Sequence, residues 1–145
     1  MAVETVSPVR RRTLTAAVLA VVLAAVTSFY GAFGDPHPSS AQKHGVPVII
    51  GVGVVIAALL FGLLVPWARR LTGRAAGWGL ALSIVGLLAI PMTFWSGFNV
   101  IVAAAGVVLG GYARPSRLGK AAVVVGVIAV VLSSAMVVAG NTVLA

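Results

Sequence analysis

One short polar segment contains side chains with the chemistry of metal ligands. Asp35, His37 and His44 lie between two long apolar runs, and two imidazoles with a carboxylate can bind zinc or copper. Pro36 and Pro38 restrict the backbone between them, and the spacing matches no standard ligand template. We therefore interpret the segment as a solvated loop, with a metal site at His37, His44 and Asp35 as the alternative.

Reactive groups are sparse in the rest of the sequence. It contains two acidic residues, Glu4 and Asp35, and no cysteine. Glu4 precedes the first apolar run and Asp35 follows it, which argues against a hydrolase with paired carboxylates. Neither carboxylate lies within an apolar run, where proton-coupled transporters commonly place one. We expect no catalytic residues, no bound cofactor and no enzymatic activity.

The basic residues form short clusters that separate the apolar runs. Ten residues are Lys or Arg, and the formal net charge is +8. One cluster is Arg10–Arg12, and the other two contain Arg69, Arg70, Arg74, Arg114, Arg117 and Lys120. Short loops rich in Lys and Arg stay in the cytoplasm, and each such residue contributes about 1 kcal/mol near anionic lipid. We expect these six residues of the second and third clusters to contact anionic lipid headgroups. We expect no nucleic-acid partner, because the basic residues lie in separate short clusters and do not line one face of the protein.

The apolar composition indicates a membrane protein. Of the 145 residues 61% are hydrophobic and 8% are charged, too few charges for a soluble domain of this size. A hydrocarbon core about 30 Å thick takes roughly 20 helical residues to cross, and lipid leaves the backbone no partner outside a helix. The sequence therefore predicts an all-α, polytopic transmembrane helix bundle. Its five spans are placed at 13–33, 46–67, 75–95, 98–113 and 121–143.

The predicted topology places the amino terminus in the cytoplasm of a cell (plasma) membrane and the carboxyl terminus outside. Residues 1–12 form a basic cytoplasmic tail, and 13–145 form one transmembrane domain with an outer loop at 34–45. The uncharged run 75–112 is too long for one span, so we divide it at 96–99, after Pro91 has weakened the helix. Two crossings in this run keep the flanking basic clusters on the same side.

The first apolar run has a second interpretation. Arg10–Arg12 followed by Leu14–Val26 resembles the basic and apolar regions of a secretory signal, with a small-residue cleavage site at 32–34. We favour a transmembrane span, because the apolar run extends beyond a usual signal core and ends in three aromatic residues. Cleavage at this site is kept as the alternative interpretation.

Aromatic side chains are expected at the membrane surfaces, since each tyrosine or tryptophan combines an apolar ring with a polar group. Phe94 and Trp95 mark the outer end of the predicted hairpin, and Trp67, Trp78 and Tyr112 mark the inner surface. Anchoring at the interface is the preferred role for all five.

Small residues recur at the four-residue spacing of close helix packing. The pairs are Gly53/Ala57, Ala58/Gly62, Gly106/Gly110 and Ala135/Ala139. Small side chains let helix backbones approach closely, which matters in lipid because hydrophobicity does not distinguish a protein side chain from a lipid tail. These pairs predict close packing within one copy or between copies. Ser133 and Ser134 are expected to hydrogen-bond to carbonyls of their own helix.

The second half of the chain contains a weak internal repeat. Residues 74–90 align with 114–130, and the matched positions include Gly79/Gly119 and Gly86/Gly126. Both copies run from the inner to the outer side in the predicted topology, as in a parallel repeat.

The same region resembles a family. Gly77–Leu82 followed by Gly86, then Gly106–Gly110, then Arg114–Gly126, is similar to the Gly/Ala-rich helical hairpin domain of unknown function in small uncharacterised actinobacterial multi-pass membrane proteins. The resemblance covers about half of the chain, and the Phe94–Trp95 turn departs from the pattern. It implies a bacterial plasma membrane and carries no catalytic residues.

The leading functional hypothesis is a non-enzymatic accessory or structural subunit that packs through small-residue helix faces. Its partners are membrane lipids and either a second copy or a larger membrane complex. The alternative is a small transporter or channel for a neutral or apolar solute, formed by one copy or by an oligomer. A lipid-modifying enzyme that uses the basic inner face is the third hypothesis.

Overall fold

The computed structural model describes residues 8–33, 40–71, 73–93 and 96–143, and this part of the chain consists of helices and short turns without a β-strand. The helices are α1 (Pro8–Phe33), α2 (Ser40–Leu59), α3 (Val65–Arg70), α4 (Ala75–Leu88), α5 (Ile90–Thr93), α6 (Phe98–Tyr112) and α7 (Arg117–Val143). A π-helical turn at Leu60–Leu64 joins α2 to α3 without a break in the helical path.

In the described part of the chain, three helical segments are long and apolar enough to cross a membrane. They are Arg10–Gly31, His44–Arg70 and Arg117–Gly140. Helices α4 and α6 are also apolar but shorter, with 14 and 15 residues. At 1.5 Å per residue each is about 21–23 Å long, less than the roughly 30 Å of a typical hydrocarbon core.

Three of the helices begin earlier in the sequence than the boundaries of the apolar runs predict. Helix α1 begins at Pro8 and includes the Arg10–Arg12 cluster that we assigned to a tail, and α7 begins at Arg117 instead of residue 121. Helix α2 begins at Ser40, so residues 40–45 of the predicted outer loop are helical. Polar residues at an exposed helix end keep their contact with water, so hydropathy marks the apolar part of a helix and not its full length.

The break in the long apolar run agrees with the prediction. Helix α4 ends at Leu88, and the short α5 contains Pro91, whose missing N–H removes one helical hydrogen bond. Gly97 then adopts a left-handed conformation, with φ of +69°, immediately before α6. Glycine suits this position because a Cβ atom makes positive φ unfavourable. Phe94 and Trp95 lie outside the described residues.

Helix α6 lies at the centre of the bundle, and its contacts give the direction of its neighbours. The hydroxyl of Tyr112, at the end of α6, is 2.8 Å from the hydroxyl of Thr13, near the start of α1. Gly97, just before α6, lies against Ala24 in the second half of α1. Helix α1 is therefore antiparallel to α6.

Helices α4 and α7 are also antiparallel to α6. Gly79 and Gly119, near the starts of α4 and α7, both lie against Gly110 near the end of α6. Helices α2 and α3 run in the same direction as α6, since Gly53 lies against Ile101 near the start of α6 and Arg69 lies over Tyr112 at its end. Consequently the three basic clusters, at 10–12, 69–74 and 114–120, lie at the same end of the bundle.

The core divides into two interfaces with different packing. Between α6, α1 and the α2–α3 segment, apolar side chains interlock, and Ile101, Leu109 and Val65 are fully buried. Between α4, α6 and α7, glycine and alanine predominate and the backbones themselves approach closely. Both copies of the sequence repeat contribute residues to this second interface.

Candidate functional site

Glycine residues bring α4, α6 and α7 into backbone contact. A Cβ atom added to Gly79 would lie 2.8 Å from the backbone nitrogen of Gly110, and one added to Gly86 would lie 2.9 Å from the backbone nitrogen of Ala103. A Cβ at Gly110 would lie 2.8 Å from the carbonyl oxygen of Gly119. These distances are shorter than ordinary van der Waals separations of about 3.5–4.0 Å. Glycine is thus the only residue that these positions accept without a movement of the helices.

The two copies of the sequence repeat contact the same part of α6. Gly79 and its repeat equivalent Gly119 both lie against Gly110. Gly86 and its equivalent Gly126 both lie against Ala103, two turns away along α6. Helices α4 and α7 are parallel, so the repeat corresponds to two similar helices that enclose α6 from two sides.

Two buried hydrogen bonds connect these helices. The fully buried Ser83 hydroxyl on α4 donates to the carbonyl oxygen of Ala122 on α7 at 2.8 Å. The side-chain amide of Asn99 on α6 donates to the Ser133 hydroxyl on α7 at 2.7 Å. The Asn99 Oδ1 atom is buried and accepts no hydrogen bond within the part of the chain that the structure describes. Such bonds fix the rotation of one helix relative to another.

The expected role of the serine pair on α7 is right for one residue only. Ser134 donates to the carbonyl oxygen of Val130 in its own helix at 3.0 Å, which confirms the prediction. Ser133 instead faces α6 and accepts from Asn99. Spacing along one helix does not reveal which of two adjacent serines faces a neighbouring helix.

At the end of the bundle opposite the basic clusters, the turn before α6 binds to α1. The Ser28 hydroxyl lies within hydrogen-bonding distance of two carbonyl oxygens, Ser96 O and Ala24 O, each at 2.8 Å. A Cβ atom at Gly97 would lie 2.7 Å from the same Ala24 carbonyl oxygen. The turn therefore lies directly on the backbone of α1.

At the basic end, Tyr112 connects three helices. Its hydroxyl pairs with Thr13 on α1, and the guanidinium of Arg69 on α3 lies 4.1 Å from the centre of its ring. A guanidinium over an aromatic face is attracted by the ring quadrupole. Trp67, two residues before Arg69, packs edge-on against Trp78, with ring centres 5.6 Å apart. Tyr112 thus has a specific structural contact in addition to the interfacial role expected from the sequence.

A cleft lies between α1 and the α2–α3 segment and opens at the basic end. Its mouth has a volume of about 620 Å³ and is lined by Arg10, Thr13, Leu14, Phe61, Gly62, Pro66 and Arg69. An apolar groove of about 470 Å³ continues from it along the two helices and shares four lining residues with it, Thr13, Leu14, Phe61 and Gly62. We call the mouth and the groove together the α1–α2 cleft.

A second, smaller cleft lies on the other side of α1. Its mouth, of about 320 Å³, includes Arg12, Tyr112 and Arg114. An apolar groove of about 290 Å³ adjoins it between α1, α6 and α7. Helix α1 is therefore bordered on both sides by grooves that carry arginine at the same end.

The residues predicted to contact lipid headgroups are all exposed at the basic end of the bundle. They are Arg69 and Arg70 on α3, Arg74 and Arg114 in turns, and Arg117 and Lys120 on α7. Arg69 lines the α1–α2 cleft, Arg114 lines the second cleft, and Arg70 lines a separate cavity of about 480 Å³ beside the π-helical turn. Sequence reasoning missed Arg10 and Thr13 as cleft residues, and the amino acid pattern contains no signal for the π-helical turn.

The predicted packing residues separate into two groups. Gly106 and Gly110 lie in the α4–α6–α7 interface, Gly53 lies against Ile101 and Phe98, and Ala57 is buried.

The other two predicted pairs face outward. Ala58 and Gly62 line the α1–α2 cleft, and no atom lies within 4 Å of a Cβ added to Gly62. Ala135 and Ala139 are exposed on α7.

The alternative metal site lies largely outside the described residues, which exclude Asp35 and His37. His44 is exposed on α2, and its Nδ1 is 2.7 Å from the carbonyl oxygen of Ser40. Within the described ranges, no three residues of the types His, Cys, Asp or Glu come together as a metal-binding group.

No protein-family model matches the chain, and no curated protein or solved structure is significantly similar to it. The resemblance to actinobacterial hairpin proteins stays a prediction.

Proposed function

We propose that this chain is a non-enzymatic accessory or structural subunit of a cell membrane, with five spans and a cytoplasmic amino terminus. The backbone contact between α4, α6 and α7 is the observation that carries the proposal. Helices held this closely form a rigid unit suited to present its outer faces to another helix. The same contact leaves no space for a solute path between these three helices, so we do not favour a channel formed by one copy.

The outer face of α7 supports docking to another helix. Ala122, Ala129 and Val137 face the bundle interior, whereas Ala135 and Ala139 are exposed. Two alanines four residues apart let a second helix approach closely, as in other small-xxx-small interfaces. We propose that a second copy of the chain, or a helix of a larger complex, packs on this face.

A single cysteine tests the docking face, because the chain has no native cysteine. We expect Ala135→Cys to form a disulfide-linked dimer in the membrane if the partner is a second copy, and the exposed Ala81→Cys on α4 to form none. Mass measurement after gentle detergent extraction identifies a different partner as a larger particle without the disulfide. A particle with the mass of one chain, together with no cross-link at position 135, would contradict the proposal.

Five crossings are supported by the antiparallel helix order and by the basic clusters at one end. Helices α4 and α6 are short. However, α5 and the polar turn continue from the end of α4 towards the end of the bundle opposite the basic clusters. Loops rich in arginine stay in the cytoplasm, which gives the orientation.

The orientation can be measured with a membrane-impermeant thiol reagent. We expect it to label the exposed Ser40→Cys variant in intact cells and the exposed Ser116→Cys variant only after permeabilisation. Labelling of Ser116→Cys in intact cells would contradict the orientation.

A further inference from the structure

We propose that the α1–α2 cleft is a binding site for one anionic phospholipid, with its phosphate at the arginine-lined mouth and an acyl chain in the apolar groove. The inference requires that the chain lies in a membrane. It depends neither on the direction or number of spans nor on the accessory role.

The mouth of the cleft is complementary to a phosphate group. Arg10 enters from α1 and Arg69 from α3, and Thr13 also lines the mouth. Arginine presents several N–H donors in a planar fork that matches phosphate oxygens. The Tyr112 ring, 4.1 Å from the Arg69 guanidinium, limits the positions that this cation adopts. Arg10 and Arg69 together give the mouth two cationic side chains.

The groove is complementary to an acyl chain. Apart from Thr13 it is lined by apolar residues, which run on α1 from Leu14 to Val22 and on α2 from Val54 to Ala58. The α1 side runs from position 13 to position 22, which is nine helical steps of 1.5 Å, or about 14 Å. This is about half of the 30 Å hydrocarbon thickness, and therefore the depth of one leaflet.

The sequence creates the groove with small side chains and a local change in helix geometry. Ala17, Ala58 and Gly62 line the groove, and space is open where a Cβ of Gly62 would lie. The π-helical turn at 60–64 turns Phe61 inward, where it is buried, and leaves Gly62 exposed beside it. Single π-helical turns within α-helices occur frequently at functional sites.

The size of the cleft also fits. Its two parts, of about 620 and 470 Å³, fall within the range of roughly 300–1,000 Å³ that is usual for small-molecule sites. An amphiphilic occupant matches both parts, because arginines line the mouth and apolar residues line the groove.

The test measures lipid retention by the full-length protein in a neutral detergent, with native mass spectrometry. Phosphatidylglycerol and phosphatidylcholine with the same acyl chains are the two lipid probes, and inorganic phosphate is the competitor. We expect retention of one phosphatidylglycerol, weaker retention of phosphatidylcholine, and little displacement by phosphate, which lacks the acyl chain.

Two pairs of variants separate the mouth from the groove. Gly62→Leu fills the groove at a position with open space, so we expect it to fold and to lose the bound lipid; Gly77→Leu on α4 is the control, since its Cβ also meets open space. The double variant Arg10→Gln/Arg69→Gln should weaken phosphatidylglycerol binding by about tenfold or more, whereas Arg117→Gln should have little effect.

Three results would overturn the proposal. Equal retention of the two lipids would indicate general lipid association. Loss of lipid from Gly77→Leu as well as Gly62→Leu would show that the groove is not the site. Full displacement by phosphate with no effect of Gly62→Leu would identify a free-phosphate site. Circular dichroism of each variant shows whether its helical content is retained.

Discussion

Replacement of Gly86 by alanine tests whether backbone contact holds α4 against α6. The added Cβ would lie 2.8 Å from the Cβ and 3.0 Å from the Cα of Ala103. Since ordinary carbon–carbon contacts are about 3.5–4.0 Å, the two helices must separate by roughly 0.7 Å or more. Overpacking of this kind costs about 1–3 kcal/mol.

Gly77→Ala on the same helix provides the matched control. Its Cβ meets no atom within 4 Å, so the substitution adds no clash. Both variants gain the same helix propensity, about 1 kcal/mol for alanine over glycine. The difference between the two variants therefore isolates the clash, and we expect Gly86→Ala to be less stable than Gly77→Ala by about 1–3 kcal/mol.

The free energy of unfolding is measured in mixed micelles by titration with a denaturing detergent and far-ultraviolet circular dichroism. Equal stability of Gly86→Ala and Gly77→Ala would refute the reasoning. It would mean that α4 and α6 are farther apart than the structure describes.

The same unfolding measurement checks three further predictions. A double-mutant cycle of Asn99→Ala and Ser133→Ala should give a coupling energy of about 0.6 kcal/mol, the average for hydrogen bonds between membrane helices; a coupling of zero would show that the 2.7 Å bond contributes nothing. Gly97→Ala should lower the free energy of unfolding by at least about 1–2 kcal/mol, because the backbone at position 97 has a φ of +69° and the added Cβ would collide with α1. Unchanged stability would argue against this turn conformation. A double-mutant cycle of Tyr112→Phe and Thr13→Ala should give a coupling energy of about 0.5–1.5 kcal/mol, because the two hydroxyls are 2.8 Å apart. Strictly additive losses would contradict the pairing.

Much of the architecture follows from the sequence. Because lipid excludes every other backbone partner, long apolar runs predict helices, and Pro91 with the polar segment at 96–99 indicates where the fourth apolar helix begins. The pairs at Gly106 and Gly110 point to a close interface. Hydropathy does not locate the polar ends of helices, so the starts of α1, α2 and α7 lie earlier than predicted.

The candidate site is predicted only in part. Exposed arginines are evident from the charge clusters, but the cleft depends on how far α1 lies from α2, which no periodicity in either helix encodes. Arg10 and Arg69 are far apart in the sequence and line one mouth only because α1 and α3 are neighbours. Likewise, the choice between Ser133 and Ser134 as the partner of Asn99 depends on the rotation of α7.

The π-helical turn at Leu60–Leu64 makes the direction of α3 depend on where the chain changes length. Such a turn contains one more residue than regular helix needs, so deletion of one residue within it would restore continuous α-helix and keep Arg69 on the face of Tyr112. Deletion of one residue from the regular helix between the turn and Arg69 would instead rotate Arg69 by about 100° around the helix axis, because no local feature absorbs the change there. Arg69 would then leave the face of Tyr112. The π-helical turn is therefore the place where this helix tolerates the loss of a residue.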